Sequence, residues 1–128
     1  MPFQLTALYA SLLTILAVVV ANIVSAKRGR SGISILHGDD RDLALWVRRH
    51  GNLMENAPLA LILMGLCEAR GLSPAGLHAM GAVLALARIS HLVGLDATRV
   101  LSPLRILGGV GTQLSLIGAV EYLLWSLR

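Results

Sequence analysis

The stretch FQLTALYASLLTILAVVVANIVSA, residues 3–26, contains no charged side chain from end to end. A helix needs roughly 20 apolar residues to cross the hydrocarbon of a bilayer, so this segment reads as a membrane span. No small-residue cleavage site follows a short apolar core, which argues against a removable signal segment. The run stops at Lys27-Arg28-Gly29-Arg30, and a polar loop rich in Gly, Ser and Asp follows to Asp40. The rest of the chain has the same character. Of its 128 residues, 55% are hydrophobic and only 14% charged, and mean hydropathy is +0.72. That is too apolar for a soluble domain of this size. Residues 1–128 are read as a single membrane domain.

Three further helices follow. The second is expected over about 42–70, polar in its first half (Arg48, Arg49, His50, Asn52, Glu55) and apolar from Asn56 to Cys67, with Pro58 inside it. A proline there removes a backbone donor and predicts a kink. Gly71-Leu72-Ser73-Pro74 is a short turn, which makes the second and third helices antiparallel neighbours. The third is expected over about 74–93 and the fourth over about 103–127. Gly108, Gly109, Gly111, Ser115, Gly118 and Ala119 give the fourth helix small residues for close packing in lipid. The fold class is therefore all-α, an integral membrane bundle of four transmembrane helices.

Four spans put both termini on one side. The loops between helices 1 and 2 and between 3 and 4, with the adjoining helix ends, carry Lys27, Arg28, Arg30, Arg41, Arg48, Arg49, Arg88, Arg99 and Arg105. Those are nine of the chain's 11 basic residues; Arg70 and Arg128 lie opposite. The positive-inside rule then expects both large loops in the cytoplasm and both termini outside. This asymmetry accounts for a pI near 10.2 without nucleic acid, and anionic headgroups are the default partners. The lone Cys67 excludes an internal disulfide or a cysteine-based metal site and reads as a small buried hydrophobe. Trp46, Tyr122 and Trp125 read as interfacial anchors, Arg49 and Arg99 as snorkelling interface charges, and Asp39, Asp40 and Asp42 as caps for the second helix.

Depth along the helices exposes a layer of polar groups. At about 1.5 Å per residue from the short turn, Glu55 and Arg88 lie roughly 20 Å in, and Asn52 and His91 roughly 25 Å in. All four fall in the inner third of a hydrocarbon layer about 30 Å thick. Arg48, Asn52 and Glu55, at i, i+4 and i+7, share one helical stripe. Arg88 and His91, three apart, share another. Lys27, Arg28 and Arg105 arrive at the same face. A structural reading makes Glu55 and Arg88 a buried ion pair. A functional reading weighs the whole set: charges at bilayer depth cost at least a few kcal/mol each and usually line a ligand site or pathway, and this excess of cations suits an anionic ligand.

The run Arg48-Arg-His-Gly-Asn52-Leu-Met-Glu55-Asn-Ala-Pro58 resembles the Arg-x-x-x-Asn-x-x-Glu motif of the MAPEG superfamily, the membrane-associated proteins of eicosanoid and glutathione metabolism. Ser25-Ala26-Lys27-Arg28 is similar to the basic end of that family's first helix. Arg88-Ile-Ser-His91 resembles its Arg-x-x-His element in the prostaglandin E synthase and microsomal glutathione transferase branches, and Pro103-Leu-Arg105 its Pro-x-Arg. The resemblance, to a bacterial-type member, implies a homotrimer in a bacterial inner membrane, with glutathione bound between subunits on the cytoplasmic side. It implies that Arg48, Asn52, Glu55, Arg88 and His91, helped by Lys27 or Arg28, hold glutathione, and that Arg105 sits beside the thiol. The implied activity is that of a glutathione transferase or peroxidase acting on a hydrophobic small molecule, with no metal.

Two departures bear on chemistry. Asn56 and Leu95 stand where several catalytic branches carry tyrosine, and a loop one residue longer leaves Arg99 competing with Arg105 as thiol activator. The alternative is a non-catalytic lipid binder, as the five-lipoxygenase-activating protein of the same superfamily is. A small pore is a third reading, for which one chain supplies few helices.

Overall fold

The computed structural model describes residues 3–128. Four helices make up the bundle: α1 (Gln4–Ser31), α2 (Arg41–Ala69), α3 (Pro74–Gly94) and α4 (Pro103–Ser126). By length and composition α1, α3 and α4 are apolar enough to cross a membrane. The 29-residue α2 is long enough to do so, at about 44 Å, but its polar first half lowers its hydropathy. The architecture is the all-α membrane bundle expected from the sequence.

The helix ends follow from local chemistry. α1 runs past Ala26, through the basic residues, to Ser31, where Gly32 at φ 69° closes it with its N–H on the Arg28 carbonyl. Arg28 and Arg30 in the last turn favour the negative end of the helix dipole, so the charges extend the helix rather than stop it. Asp40 caps α2 by accepting from the Leu43 N–H, Ser73 caps α3 through Gly76, and Ser102 caps α4 through Arg105. Pro74 and Pro103 follow their caps directly, where a missing N–H costs nothing. α2 continues as helix through Pro58.

At the end of the bundle beside the α2–α3 turn, α1 lacks a local cap, since Phe3 offers no side-chain hydrogen bond. Glu68 of α2 supplies one instead, its two oxygens accepting from the Leu5 and Thr6 N–H groups at 3.0 and 2.8 Å. Arg70 ties the same end of α2 to α4 by donating to the Ser126 carbonyl at 2.6 Å. Tyr9 lies on Gly81 of α3 and donates its hydroxyl to the His78 carbonyl at 3.2 Å. Cys67 is fully buried and faces the Ala119 carbonyl, 3.6 Å away.

α3 and α4 form the most intimate pair, while α1 packs on α2 and α3 and not on α4. The approach of α3 to α4 depends on a stripe of small residues. A Cβ at Gly108 would stand 2.5 Å from both the His91 nitrogen and the His91 Cβ, and 2.6 Å from the Ala87 carbonyl oxygen. Gly111 presses on Ala87 in the same way, whereas Gly109 and Gly118 face open space. Two of the four glycines on this helix therefore serve the seam.

Candidate functional site

Toward the α3–α4 loop the bundle brings α2, α3 and α4 together on Arg88. This guanidinium is 3% exposed. Nη1 donates to Asn52 Oδ1 at 2.9 Å and Nη2 to the Gly108 carbonyl at 3.0 Å. The same carbonyl also accepts from Thr112 Oγ1 at 2.8 Å. The depth estimate matches Arg88 with Glu55 and Asn52 with His91; the direct bond between helices instead joins Arg88 to Asn52, one turn of α2 away from Glu55. No carboxylate bonds to Arg88 among the described residues, and its Nε is buried without a partner.

Glu55 is not the partner of Arg88, which corrects the ion pair that the sequence suggested. Both Glu55 oxygens accept from Arg48, at 2.9 and 2.7 Å. This bidentate pair spans two turns of α2 and passes over Gly51, where a Cβ would lie 3.4 Å from Arg48 Nη1. Its side chains are each 55% exposed on the outer face of the bundle. The stripe shared by Arg48, Asn52 and Glu55 is therefore split: Asn52 at one border reaches α3, and the charged pair looks outward.

Beside that pair an open pocket of about 720 Å³ lies between α2 and the α3–α4 loop. Arg41 and Arg48 of α2, Arg105 of α4 and Asp96 of the loop contribute its charged groups. Arg105 leans along the loop, donating Nη1 to the Val100 carbonyl at 2.8 Å. Arg99 is exposed and forms no part of the wall. His91 is half-buried against Gly108.

Lys27 and Arg28 stand elsewhere in the chain. Lys27 forms an ion pair with Asp42 and lies 5.9 Å from the centre of the Trp46 ring. Arg28 donates to the Ile33 and Leu36 carbonyls at 3.2 and 2.9 Å and so holds the α1–α2 loop.

Three neighbours of the site escaped sequence reasoning. Arg49, read as an interface charge, stacks 4.7 Å over Trp46 and donates to the Leu95 carbonyl at 2.9 Å. Arg41 lay within the basic loop, where nothing distinguished it from its neighbours. Asp96 adjoins the Leu95 position that the motif comparison singled out, which was a usable signal. The loop bearing Asp96 is tied down, since Ser102 Oγ donates to the Gly94 carbonyl at 2.6 Å. Asp96 Oδ1 accepts from Thr98 N–H, Thr98 Oγ1 and Arg99 N–H at 2.7, 2.6 and 3.2 Å. These donors, Thr98 foremost, hold its carboxyl below the usual range and keep it ionised.

A separate apolar groove of about 310 Å³ runs between α1 and α2, lined by Leu13, Ala17, Ala21, Met54 and Pro58, with His50 also in its wall. Chemically, the arginine pocket can hold an anion of more than one charge, and the groove an aliphatic or aromatic chain. No group of three His, Cys, Asp or Glu side chains among the described residues is placed to hold a metal ion.

No curated protein and no solved structure matches the chain. The model of the MAPEG family matches residues 6–125, nearly its whole length. With the four-helix bundle, the membrane-spanning helices and the Arg48–Asn52–Glu55 element on α2, that match identifies the chain as a member of the MAPEG family.

Proposed function

We propose that the chain is a glutathione-dependent membrane enzyme, a transferase or peroxidase acting on a lipophilic electrophile or a lipid hydroperoxide. The observation that carries this reading is the pocket walled by Arg41, Arg48 and Arg105 beside the buried Asn52–Arg88 bond. Glutathione brings two carboxylates and a thiol, and guanidinium groups recognise carboxylates through paired, charge-assisted hydrogen bonds. Arg105 serves as the thiol activator, since a nearby cation favours the thiolate, which is the nucleophile. In transfer, the thiolate sulfur bonds to an electrophilic carbon as the leaving group departs with its electron pair. In peroxide reduction it attacks the terminal oxygen, the O–O bond breaks, the departing alkoxide takes up a proton to become the alcohol, and the glutathione sulfenic acid so formed condenses with a second glutathione to give the disulfide and water.

Asn52, Arg88 and His91 form the floor of the site, and Glu55 acts through Arg48. The working unit is a homotrimer. A charged pair half-exposed on the outside of a membrane helix is costly in lipid, and a neighbouring copy relieves that cost by covering it. A neighbouring copy is also what would bring Lys27 or Arg28 to glutathione, since within one chain both are engaged elsewhere. Both large loops face the cytoplasm, as expected in a bacterial inner membrane.

Calorimetry of glutathione binding to the reconstituted protein tests the proposal, with Arg48→Ala and Arg105→Ala beside the wild type. Binding by the wild type and its loss in Arg48→Ala, with assembly unchanged, is the expected result. No binding by a folded wild type removes the glutathione reading. Lipid presentation without chemistry would then lead, favoured by the apolar groove and by Asn56 and Leu95 in the tyrosine positions.

A further inference from the structure

We propose that Asp96, and not Glu55, selects ligands bearing a free ammonium group in the arginine pocket. The inference rests on the glutathione reading and adds a specificity-determining residue to it.

Three guanidinium groups line the pocket, and an ammonium group entering among them needs a carboxylate to offset their repulsion. Two carboxylates are near. Glu55 has both oxygens occupied by Arg48, at 2.9 and 2.7 Å, so engaging a ligand there means breaking a bidentate pair. Asp96 lines the pocket itself. Its Oδ1 collects all three loop donors, and among the described residues no hydrogen bond reaches Oδ2. The carboxylate is thus fixed in orientation by one oxygen and free at the other.

Its support is also rigid. Ser102 bonds to the Gly94 carbonyl at 2.6 Å and Arg49 to the Leu95 carbonyl at 2.9 Å, bracing the two residues before Asp96. A positioned acceptor loses little freedom on binding. The charges also match: the cations Arg41, Arg48 and Arg105 face the ligand's two carboxylates and its thiolate, and the anion Asp96 faces its ammonium.

The test compares glutathione with N-acetylglutathione, which keeps both carboxylates and the thiol and lacks the ammonium. Affinities are measured by calorimetry on the lipid-reconstituted full chain, for wild type, Asp96→Asn and Glu55→Gln. The wild type is expected to prefer glutathione by about tenfold or more, as loss of a charge-assisted hydrogen bond implies. In Asp96→Asn that preference collapses to about twofold or less while N-acetylglutathione binds as to wild type, which also shows that the variant is folded. Asp96→Ser serves as a second variant should Asp96→Asn fail to assemble. Glu55→Gln keeps the preference. A preference retained in Asp96→Asn or lost in Glu55→Gln overturns the assignment, as does a wild type that binds both compounds equally, and the glutathione reading survives each of these. A wild type that binds neither compound removes that reading and this inference together.

Discussion

Replacing Gly108 with alanine tests whether the α3–α4 seam and the polar site are one structure. The added Cβ would lie 2.5 Å from the His91 nitrogen and 2.6 Å from the Ala87 oxygen. Both are backbone atoms, which no rotamer change can move aside, so α4 must shift away from α3. Overpacking of this kind costs typically about 1–3 kcal/mol. The shift also draws the Gly108 carbonyl away from Arg88 Nη2, now 3.0 Å distant, and a hydrogen bond to a charged group is worth about 1.5–3 kcal/mol. The sum predicts a loss of about 3 kcal/mol or more. Gly109→Ala is the matched control. Nothing lies within 4 Å of its Cβ position, so it should be neutral or gain up to about 1 kcal/mol of helix propensity. Reversible unfolding in mixed detergent micelles compares the two variants directly. A Gly108→Ala protein within about 0.5 kcal/mol of wild type, the usual range for substitutions away from packed features, would refute the packing argument, as would a Gly109→Ala protein equally damaged.

Three other outcomes are expected. Glu68→Ala removes the side-chain cap that the described residues give α1 and should cost about 1 kcal/mol, with faster hydrogen exchange at the Leu5 and Thr6 amides; unchanged exchange there contradicts the cap. Asp96 lies in the loop outside the spans with its pKa depressed, so its contribution to stability is complete above the unfolded aspartate value of about 3.9 and fades as pH falls through the lower folded value. The thermal-stability gap between wild type and Asp96→Asn should therefore be constant at neutral pH and close on acidification, and a gap that widens in acid rejects this. Arg105→Ala should remove the ultraviolet thiolate absorbance of bound glutathione, and Arg99→Ala should leave it unchanged; the reverse pattern transfers thiol activation to Arg99.

Much of the bundle was legible because membrane spans are written in composition. The uncharged run at 3–26 and the Ser-Pro starts of α3 and α4 needed no tertiary knowledge. The end of α1 was misplaced by five residues, because basic residues mark the edge of the hydrocarbon and not the edge of the helix. Residue count along α2 and α3 also put Asn52 and Arg88 in one region of the bundle, though the same reading assigned Lys27 and Arg28 there as well. The pairing of the polar groups was not legible. Glu55 could reach Arg48 along α2 or Arg88 across to α3, and the choice depends on how α2 is rotated. Burial of Leu53, Ala57, Ala60 and Met64 sets that rotation. It directs Asn52 toward α3 and leaves Glu55 outside, and the spacing of charges alone carries no record of this. Asp96 was missed for a related reason: a loop carboxylate gains meaning only once the fold sets it opposite Arg41 and Arg48.

The two positions where tyrosine was expected show how the remaining chemistry is distributed. Asn56 turns its amide back to the Asn52 carbonyl at 2.8 Å, so that side chain braces the residue that meets Arg88. Leu95 is buried, and its carbonyl is the acceptor for Arg49. Neither residue offers a hydroxyl to a sulfur atom in the pocket. A phenol stabilises a thiolate by donating one hydrogen bond, whereas a guanidinium offers several donors and a full positive charge. With both phenols absent, the proposed stabilisation of a thiolate would rest on Arg105, which is held by its bond to the Val100 carbonyl. Arg48 is partly committed to Glu55 and Arg88 is sealed among Asn52, Gly108 and Thr112. Under the proposed glutathione chemistry the family motif on α2 would serve binding, while the residue deciding reactivity would stand at the start of α4, beyond the loop that also carries Asp96.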